Sequence, residues 1–419
     1  MFKRLKGTKD IFKKEALILE YIKASFFKIA RNYNFDFIET PIIEDINLFI
    51  RSSGEMSDIV SKEMYHFKDN GGKEIALRPE GTASAIRAYV ENKINNLENS
   101  KLFYFGPMFR HERPQKGRFR QFNQGGVEII ENRSINTNFE IIKLAQDFLH
   151  SLRIEDFILE INNLGSTKTR IKYLQVLKDY FSAHADQLSD ISKQRMQKNV
   201  LRILDDKEES QKDFVKNAPK LIDYLSEDEL RDFNNLLKKL DDFEIKYTLN
   251  PYLVRGLDYY NDVVFEFVSN SAALGSKSTI LGGGRYDGMI SSFGGPNLDS
   301  IGFAFGVERL MEIISYNFEK YPELDEENLV LIAFLNNEEE NEILKIAYDL
   351  RKSFQVKLIN SKISIKQLFK LQYKYKPRYL IFKELNFKDN EIKVKTFNAE
   401  KNIVYRGNDD FKKQVEKLE

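Results

Sequence analysis

Cysteine is absent from the 419 residues, which excludes disulfides, thiolate zinc sites and a cysteine nucleophile. Histidine is scarce: His66, His111, His150 and His184 are scattered with no i, i+4 pair, so a histidine-based metal site is not expected. No uninterrupted apolar run approaches the roughly 18 residues of a membrane helix, and the N-terminal MFKRLKGTKDIF has no apolar core behind its basic residues. A cytoplasmic protein with no membrane segment is therefore expected. Net charge is missing too, because 65 Lys and Arg against 64 Asp and Glu leave a formal +1. No global field can hold a polyanion, so any such ligand must be bound by local patches.

One such patch stands out. FRHERPQKGRFRQF, residues 109–122, carries five Arg or Lys and one His. The strand-like runs KLFYFGPMF and GVEII bracket it, which predicts the long loop of a hairpin. Strand alternation puts Arg110 and Glu112 on one side of the outgoing strand end, and Arg118, Arg120 and Phe122 on one side of the return. Guanidinium forks match phosphate oxygens, an aromatic ring stacks on a base, and a carboxylate accepts from an exocyclic amine. The same residues could equally form cross-strand charge pairs of a hairpin.

Elsewhere the chain alternates texture. ALILEYIKASFFKIARNY (16–33) has helical spacing and feeds an alternating FDFIETPII, so a helix followed by a strand is expected. Residues 166–245 turn helical, with Tyr173, Leu174, Val176, Leu177, Tyr180 and Phe181 on one face, as an inserted lobe. Nine of the 21 glycines fall in residues 275–306, where backbone and ligand can approach closely. Beyond 328, short apolar runs such as NLVLIAFL and RYLIFKEL alternate with helical segments, the pattern of a small α/β domain, with the boundary expected near 320–328.

Three further constellations carry chemistry. LRPEGT (77–82) sets Glu80 on a rigid turn, free to hold an ammonium group or to cap the next helix, with Thr82 an equal candidate for the cap. VRGLDYY (254–260) places Arg255 and a tyrosine pair on a glycine-kinked strand, and that arginine needs an anionic partner, internal or bound. LGGGRYDGM (281–289) and GFAFGVERL (302–310) suggest a side-chain-poor strand flooring a pocket with Arg309 above it. Packing of a strand against a close helix explains them as well.

In this order and spacing, with TPIIEDINLF around Pro41, these motifs resemble a class II aminoacyl-tRNA synthetase, specifically the histidyl-tRNA synthetase family of bacterial type. TPIIEDINLF, FRHERPQKGRFRQF and GFAFGVERL match the three class motifs, the first of them usual at a dimer interface. LVRGLDYYNDVVFEF and GGGRYDG are similar to the two histidine-specific signatures.

The resemblance implies an α+β catalytic domain with an antiparallel sheet (1–165 and 246–322), a helical insertion (166–245) and a C-terminal α/β anticodon-binding domain (328–419), in a homodimer. It implies that Arg110 grips the α-phosphate of ATP, Glu112 reads the adenine amino group, and Phe122 and Arg309 stack on the adenine faces, with Arg118 also at the ATP site. Glu80, Thr82 and Gln124 would hold the α-ammonium of L-histidine, and Glu128 and Tyr260 its two ring nitrogens, with Tyr259 and Tyr286 lining the same pocket. Arg255 would bridge substrate carboxylate and α-phosphate, making it, with Arg110, the catalytic pair. Arg113 and Gln115 would touch the acceptor end of the tRNA for histidine. Mg2+ would be held mainly by ATP phosphates, with no protein metal ligand assigned.

Gly125 stands where the family more often has a bulkier apolar residue, and Lys6 where arginine is usual, which bears on loop rigidity rather than on substrate contacts. SKISIKQLFKLQYKYKPRYL (361–380) has five Lys, one Arg and no acid, compatible with an RNA-facing patch or a solvated helix face. The alternative is a catalytically silent, histidine-binding regulatory relative serving ATP phosphoribosyltransferase. Those relatives typically lack the last domain and the phosphate-gripping arginines, whereas Arg110, Arg255 and Arg309 are all present here.

Overall fold

The computed structural model describes residues 2–416 except 55–56, 58, 95–99, 199, 205, 207, 276, 325–328 and 385. It divides into two compact units, Met1–Phe318 and Glu319–Glu419. Part of the predicted boundary, 325–328, lies outside the described residues.

In the first unit the strands are β1 (Asp36–Phe37), β2 (Ile43–Asp45), β3 (His66–Lys68), β4 (Glu74–Leu77), β5 (Lys101–Phe109), β6 (Gln121–Glu131), β7 (Phe157–Asn163), β8 (Tyr247–Leu249), β9 (Asn261–Ser269), β10 (Ser278–Arg285) and β11 (Asp299–Gly306). Eight of them form one sheet in the order β1-β5-β6-β11-β10-β9-β7-β8, and β2-β4-β3 form a second. All pairs from β5 to β7 across the large sheet are antiparallel; only the outer pairs β1–β5 and β7–β8 are parallel.

One face of that sheet is sealed by an aromatic cluster. The helix Lys14–Asn32 buries Ile18, Ile22, Phe26 and Ala30 at four-residue spacing, and the Phe26 ring meets Phe103, Phe148 and Phe305 at centroid distances of 5.7, 5.2 and 4.8 Å. Along β11, alternation sends Phe303 and Phe305 toward the core and leaves Ala304 and Gly306 on the opposite face, which stays open as a cavity wall. The departure at Gly125 has its cause here. Gly125 lies inside β6, not in a loop, and a Cβ there would sit 2.3 Å from the Phe305 ring. Phe305 fills the volume that a bulkier residue 125 would need.

The alternating FDFIETPII does not make one strand. It splits into β1, which joins the large sheet, and β2, which joins the small one, because the chain turns at Thr40–Pro41. Arg78 holds that turn: Nη1 donates to the Thr40 carbonyl and hydroxyl at 2.8 and 2.9 Å, and Nε to the Pro107 carbonyl at 3.0 Å.

Residues 166–245 are predominantly helical. The helix Thr167–Ala183 buries Tyr173, Leu177 and Phe181, and the helix Glu227–Asp242 starts on a capping box formed by Ser226 and Glu229. Glu229 also accepts from the Ser166 amide (2.6 Å) and the Thr169 hydroxyl (2.7 Å), so one carboxylate pins the starts of both helices. Burial opposes its charge, but the amides of Ser226 and Ser166 outweigh it and hold its pKa down at about 2.

The second unit contains a sheet of β12 (Leu329–Ala333), β13 (Gln355–Ile359), β14 (Tyr379–Phe382), β15 (Glu391–Lys395) and β16 (Glu400–Val404), in the order β13-β12-β14-β15-β16. β12 is parallel to both of its neighbours, which requires crossover helices. Val330 and Ile332 pack with Ile343 and Ile346 of the helix Glu340–Leu350 on one face, and Leu331 and Ala333 with Leu368 of the helix Ile365–Tyr375 on the other. Among the described residues no helix is long and apolar enough to cross a membrane.

Candidate active site

A cavity of about 430 Å³ opens on the side-chain-poor face of the large sheet. Gly282 of β10 and Ala304 of β11, paired across the ladder, form part of its floor. A Cβ on Gly282 would sit 2.4 Å from a terminal nitrogen of Arg255, so the guanidinium lies flat on bare backbone there.

Of the residues predicted for ATP, all five line this cavity: Arg110, Glu112, Arg118, Phe122 and Arg309. The basic stretch is the loop of the β5–β6 hairpin, as its flanks predict. Arg110 follows β5 rather than ending it, although its amide still bonds the Arg120 carbonyl at 2.9 Å. Its Nε donates to the Pro79 carbonyl at 2.8 Å, and its guanidinium lies 5.4 Å from the Phe122 ring centroid. Glu112 sits between two arginines, 3.7 Å from Arg110 and 3.3 Å from Arg118. Arg309, on the first turn of the helix Val307–Tyr316, donates to the Thr279 carbonyl. Burial, reinforced by the nearby charge of Arg118, pushes its pKa down to about 10. Four arginines share the lining with Glu63, Glu80, Glu112 and Glu266, so the crowding of like charge is local to Arg309, Arg118 and Arg110, where an anion would relieve it.

Arg255 is not on a strand. Residues 250–260 run through turns and bends and β9 begins only at Asn261, because the glycine at 256 and the chain reversal around it leave no ladder partner. Its required anionic partner is internal: Glu266, from the cavity side of β9. Burial works against the guanidinium charge, yet Glu266 more than offsets it and keeps the group ionised. Glu266 is itself fixed by the Thr279 hydroxyl, which donates to it at 2.5 Å. A register irregularity of the β9–β10 pair between Thr279 and Leu281 accompanies this contact, as bulges beside functional sites commonly re-aim a side chain.

Glu266 and Thr279 were missed in the sequence. The signal was present in VVFEFV, where a single carboxylate interrupts an otherwise apolar strand.

At the deeper end, Glu80, Thr82, Gln124, Tyr259 and Tyr260 line the same cavity. Glu80, not Thr82, caps the helix Thr82–Glu91: its carboxylate accepts from the amides of Thr82 (2.7 Å) and Ala83 (2.8 Å), while Thr82 is already the first helical residue. Burial raises its pKa against those two bonds and Arg110. The Gln124 carbonyl oxygen accepts from the Gly81 amide at 2.9 Å, locking the turn that carries both residues.

Glu128 and Tyr286 are behind the open wall rather than on it. Tyr286 donates its hydroxyl to Glu128 Oε2, and Glu128 Oε1 is buried with no hydrogen-bond partner among the described residues. Burial drives the Glu128 carboxyl up to about 8 despite the hydroxyls of Tyr286, Thr82 and Tyr104. Tyr286 is placed by its neighbour: Arg285, fully buried, forks onto Asp287 at 3.0 and 2.8 Å and donates to Asn138 at 2.8 Å. Tyr259 packs against both Tyr260 and Tyr286, at 4.6 and 5.7 Å between centroids. A buried carboxyl with a free acceptor, ringed by phenols, is suited to a small polar ring with two nitrogens. Arg113 and Gln115 are exposed and do not line the cavity; Gln115 and Arg118 close a tight turn at the loop tip. No cluster of three metal-ligating side chains occurs among the described residues.

The family model for histidyl-tRNA synthetase matches residues 7–310, from the N-terminal segment through Arg309. The chain belongs to the histidyl-tRNA synthetase family. It is 47% identical over 405 residues to the histidine–tRNA ligase of Mycoplasmopsis pulmonis, covering 96% of this chain and 95% of that one. The ligase of Ureaplasma parvum serovar 3 is 45% identical over 384 residues, 91% of each chain. Among solved structures, the apo histidyl-tRNA synthetase of S. aureus superposes with a TM-score of 0.80 at 29% identity, covering 96% of this chain and 97% of its own. Both histidine-specific signatures and all three class motifs lie inside the span matched to the histidyl-tRNA synthetase model.

Proposed function

We propose that this synthetase charges the tRNA for histidine in two steps within the cavity of the large sheet. A carboxylate oxygen of L-histidine attacks the α-phosphorus of ATP, the bond to the bridging oxygen breaks, and pyrophosphate leaves with that electron pair. A hydroxyl of the terminal ribose of the tRNA then attacks the histidyl carbonyl, and AMP departs. The observation that carries this reading is the convergence of Arg110, Arg255 and Arg309, from three distant segments, on one cavity backed by the Glu128–Tyr286 pair.

In this reading Arg110 takes the α-phosphate and Arg118 the remaining phosphates. Phe122 and Arg309 sandwich the adenine, and Glu112 accepts from its amino group. Glu80, Thr82 and Gln124 hold the α-ammonium, and Glu128, Tyr260, Tyr259 and Tyr286 enclose the imidazole. Arg255 spans the reacting carboxylate and phosphate, and negative charge that builds during attack meets a guanidinium already in position. Mg2+ would be held mainly by the ATP phosphates and would neutralise part of their charge; of the carboxylates lining the cavity, Glu112 and Glu266 are already engaged by arginines.

Arg113 and Gln115, exposed at the loop tip, meet the acceptor end. The catalytic domain comprises 1–165 and 246–322, with 166–245 inserted and 328–419 binding the anticodon. Lys366, Lys370 and Lys374, exposed at four-residue spacing on the helix Ile365–Tyr375, suit that last role. A homodimer would cover the exposed Ile42, Ile43 and Phe67 of the small-sheet region, and the enzyme works in the cytoplasm with the tRNA pool.

With ATP, histidine and a transcript of the tRNA for histidine, charged tRNA should accumulate. Histidine-dependent pyrophosphate exchange without charging would remove the second step. The floor is tested by Gly282→Ala. The nearest atoms to the new methyl are those of the Arg255 guanidinium, which must shift away from Glu266, so exchange should fall about tenfold or more, on the scale of a displaced catalytic group, with a smaller fall in unfolding temperature. Unchanged exchange would mean that Arg255 does not work from that floor.

A further inference from the structure

Segment 250–260 has the heaviest task in the proposed reaction and the least regular backbone. Its carbonyls have few ladder partners, so donors must come from side chains elsewhere. Asn162 of β7 supplies one, donating to the carbonyls of Leu253 at 3.0 Å and Pro251 at 3.3 Å. Arg170 supplies the other. Its Nη1 donates to the Tyr260 carbonyl at 2.7 Å and the Asp258 carbonyl at 3.3 Å, bracketing Tyr259 and ending on the tyrosine nearest Arg255.

Arg170 does not line the substrate cavity. It sits in the first turn of the helix Thr167–Ala183, whose start is unusually well fixed. Ser166 accepts from the Thr169 amide at 3.3 Å, and Glu229 takes the Ser166 amide and the Thr169 hydroxyl. The residues just before it exchange hydrogen bonds with the start of β9, Leu164 to the Asp262 carbonyl at 2.6 Å and Asp262 to the Gly165 carbonyl at 3.0 Å. Burial depresses the pKa of Arg170, with Asp258 opposing, so the guanidinium is withdrawn from solvent to make these bonds.

We propose that Arg170 is a positioning residue of the activation step: the helical insertion uses it to hold the backbone that presents Arg255, Tyr259 and Tyr260. The proposal rests on the function given above. Without the guanidinium, two carbonyls lose their donor and the segment samples arrangements in which Arg255 and Tyr260 are off register. A displacement of about 1 Å is enough to slow a reaction by roughly 10²-fold. The ATP-binding groups Arg110, Phe122 and Arg309 stand on the hairpin and on the helix Val307–Tyr316, with no contact to Arg170 among the hydrogen bonds of the described residues. The defect therefore falls mainly on histidine and the chemical step, because the displaced segment meets ATP only through Arg255 at the reacting α-phosphate.

The test is steady-state pyrophosphate exchange with Arg170→Met, which keeps the apolar stem, and Arg170→Lys, which keeps one donor, alongside thermal unfolding of each. Arg170→Met is expected to lower kcat/KM for histidine by about 10- to 100-fold, in KM and kcat together, with KM for ATP within about twofold of the parent. Arg170→Lys should recover part of that loss. Parental kcat/KM for histidine in Arg170→Met overturns the proposal, as does an equal rise of both KM values. Should Arg170→Met fail to fold, the histidine-to-ATP ratio of KM changes in Arg170→Lys decides by the same criterion. Absence of histidine-dependent exchange in the parent protein would instead strike the proposed function itself.

Discussion

Arg255→Ala is expected to slow histidine-dependent pyrophosphate exchange by about 10²–10³-fold, equivalent to roughly 2.7–4 kcal/mol of transition-state stabilisation, the scale of losing one preorganised donor. The guanidinium is withdrawn from water, paired with Glu266 through a carboxylate that Thr279 holds, and laid on the bare backbone of Gly282. It need not reorganise when charge develops. Arg255→Lys should recover little, because an ammonium cannot fork between a carboxylate and a phosphate. Removing one member of the pair leaves the Glu266 carboxylate with the Thr279 hydroxyl but without its counter-charge, so some loss of stability accompanies the kinetic one. The double variant Arg255→Met with Glu266→Gln separates the two, and should restore unfolding temperature without restoring exchange. An unaltered exchange rate in Arg255→Ala would take this residue out of the mechanism.

Glu128 carries the second large effect. Glu128→Leu should cost histidine about 2–5 kcal/mol in kcat/KM, the range for stripping one partner from a buried charged hydrogen bond. Its pH dependence follows from the raised pKa. In the proposed complex the imidazole and the Glu128 carboxyl would share one proton. Between about pH 6.5, where free histidine becomes neutral, and about pH 8, where the free Glu128 carboxyl ionises, that proton is already on Glu128 and binding needs no exchange with solvent.

Above about pH 8 a proton must be taken up, and below about pH 6.5 one must be shed. The KM for histidine should therefore be flat between these values and rise on both sides. Glu128→Gln, which cannot ionise, should lose the alkaline rise. A KM that climbs above about pH 8 equally in parent and Glu128→Gln would assign that limb to another group.

The same shift has a stability consequence. A carboxyl whose folded pKa lies above its unfolded one stabilises the fold at low pH, and the free protein loses that contribution as pH rises from the ordinary carboxylate range through about 8.

Much of this site was legible in the sequence because its parts are local. The hairpin follows from two period-two runs around a basic loop, and Glu80 from a rigid turn before a helix. The glycine floor follows from the glycine density of LGGGR, which lies in β10. What escaped was non-local. Apolar alternation through LVRGLDYYNDVVFEF reads as one strand, yet only Asn261–Ser269 finds a partner, and the rest is held by side chains from β7 and residue 170. In the sequence Glu80 and Thr82 are equal candidates for the cap, and only the fold shows Glu80 turning back onto the Thr82 and Ala83 amides. Glu266 and Thr279 matter only because the β9–β10 pairing sets them side by side, and no sequence spacing of 13 residues announces that.

The central claim is that four arginines around one cavity activate a carboxylate whose owner is chosen by the Glu128–Tyr286 slot. Pyrophosphate exchange run with each of the twenty amino acids in turn tests it most directly. Histidine alone should drive exchange above background; equal exchange with any other amino acid, or none with histidine, would contradict the account.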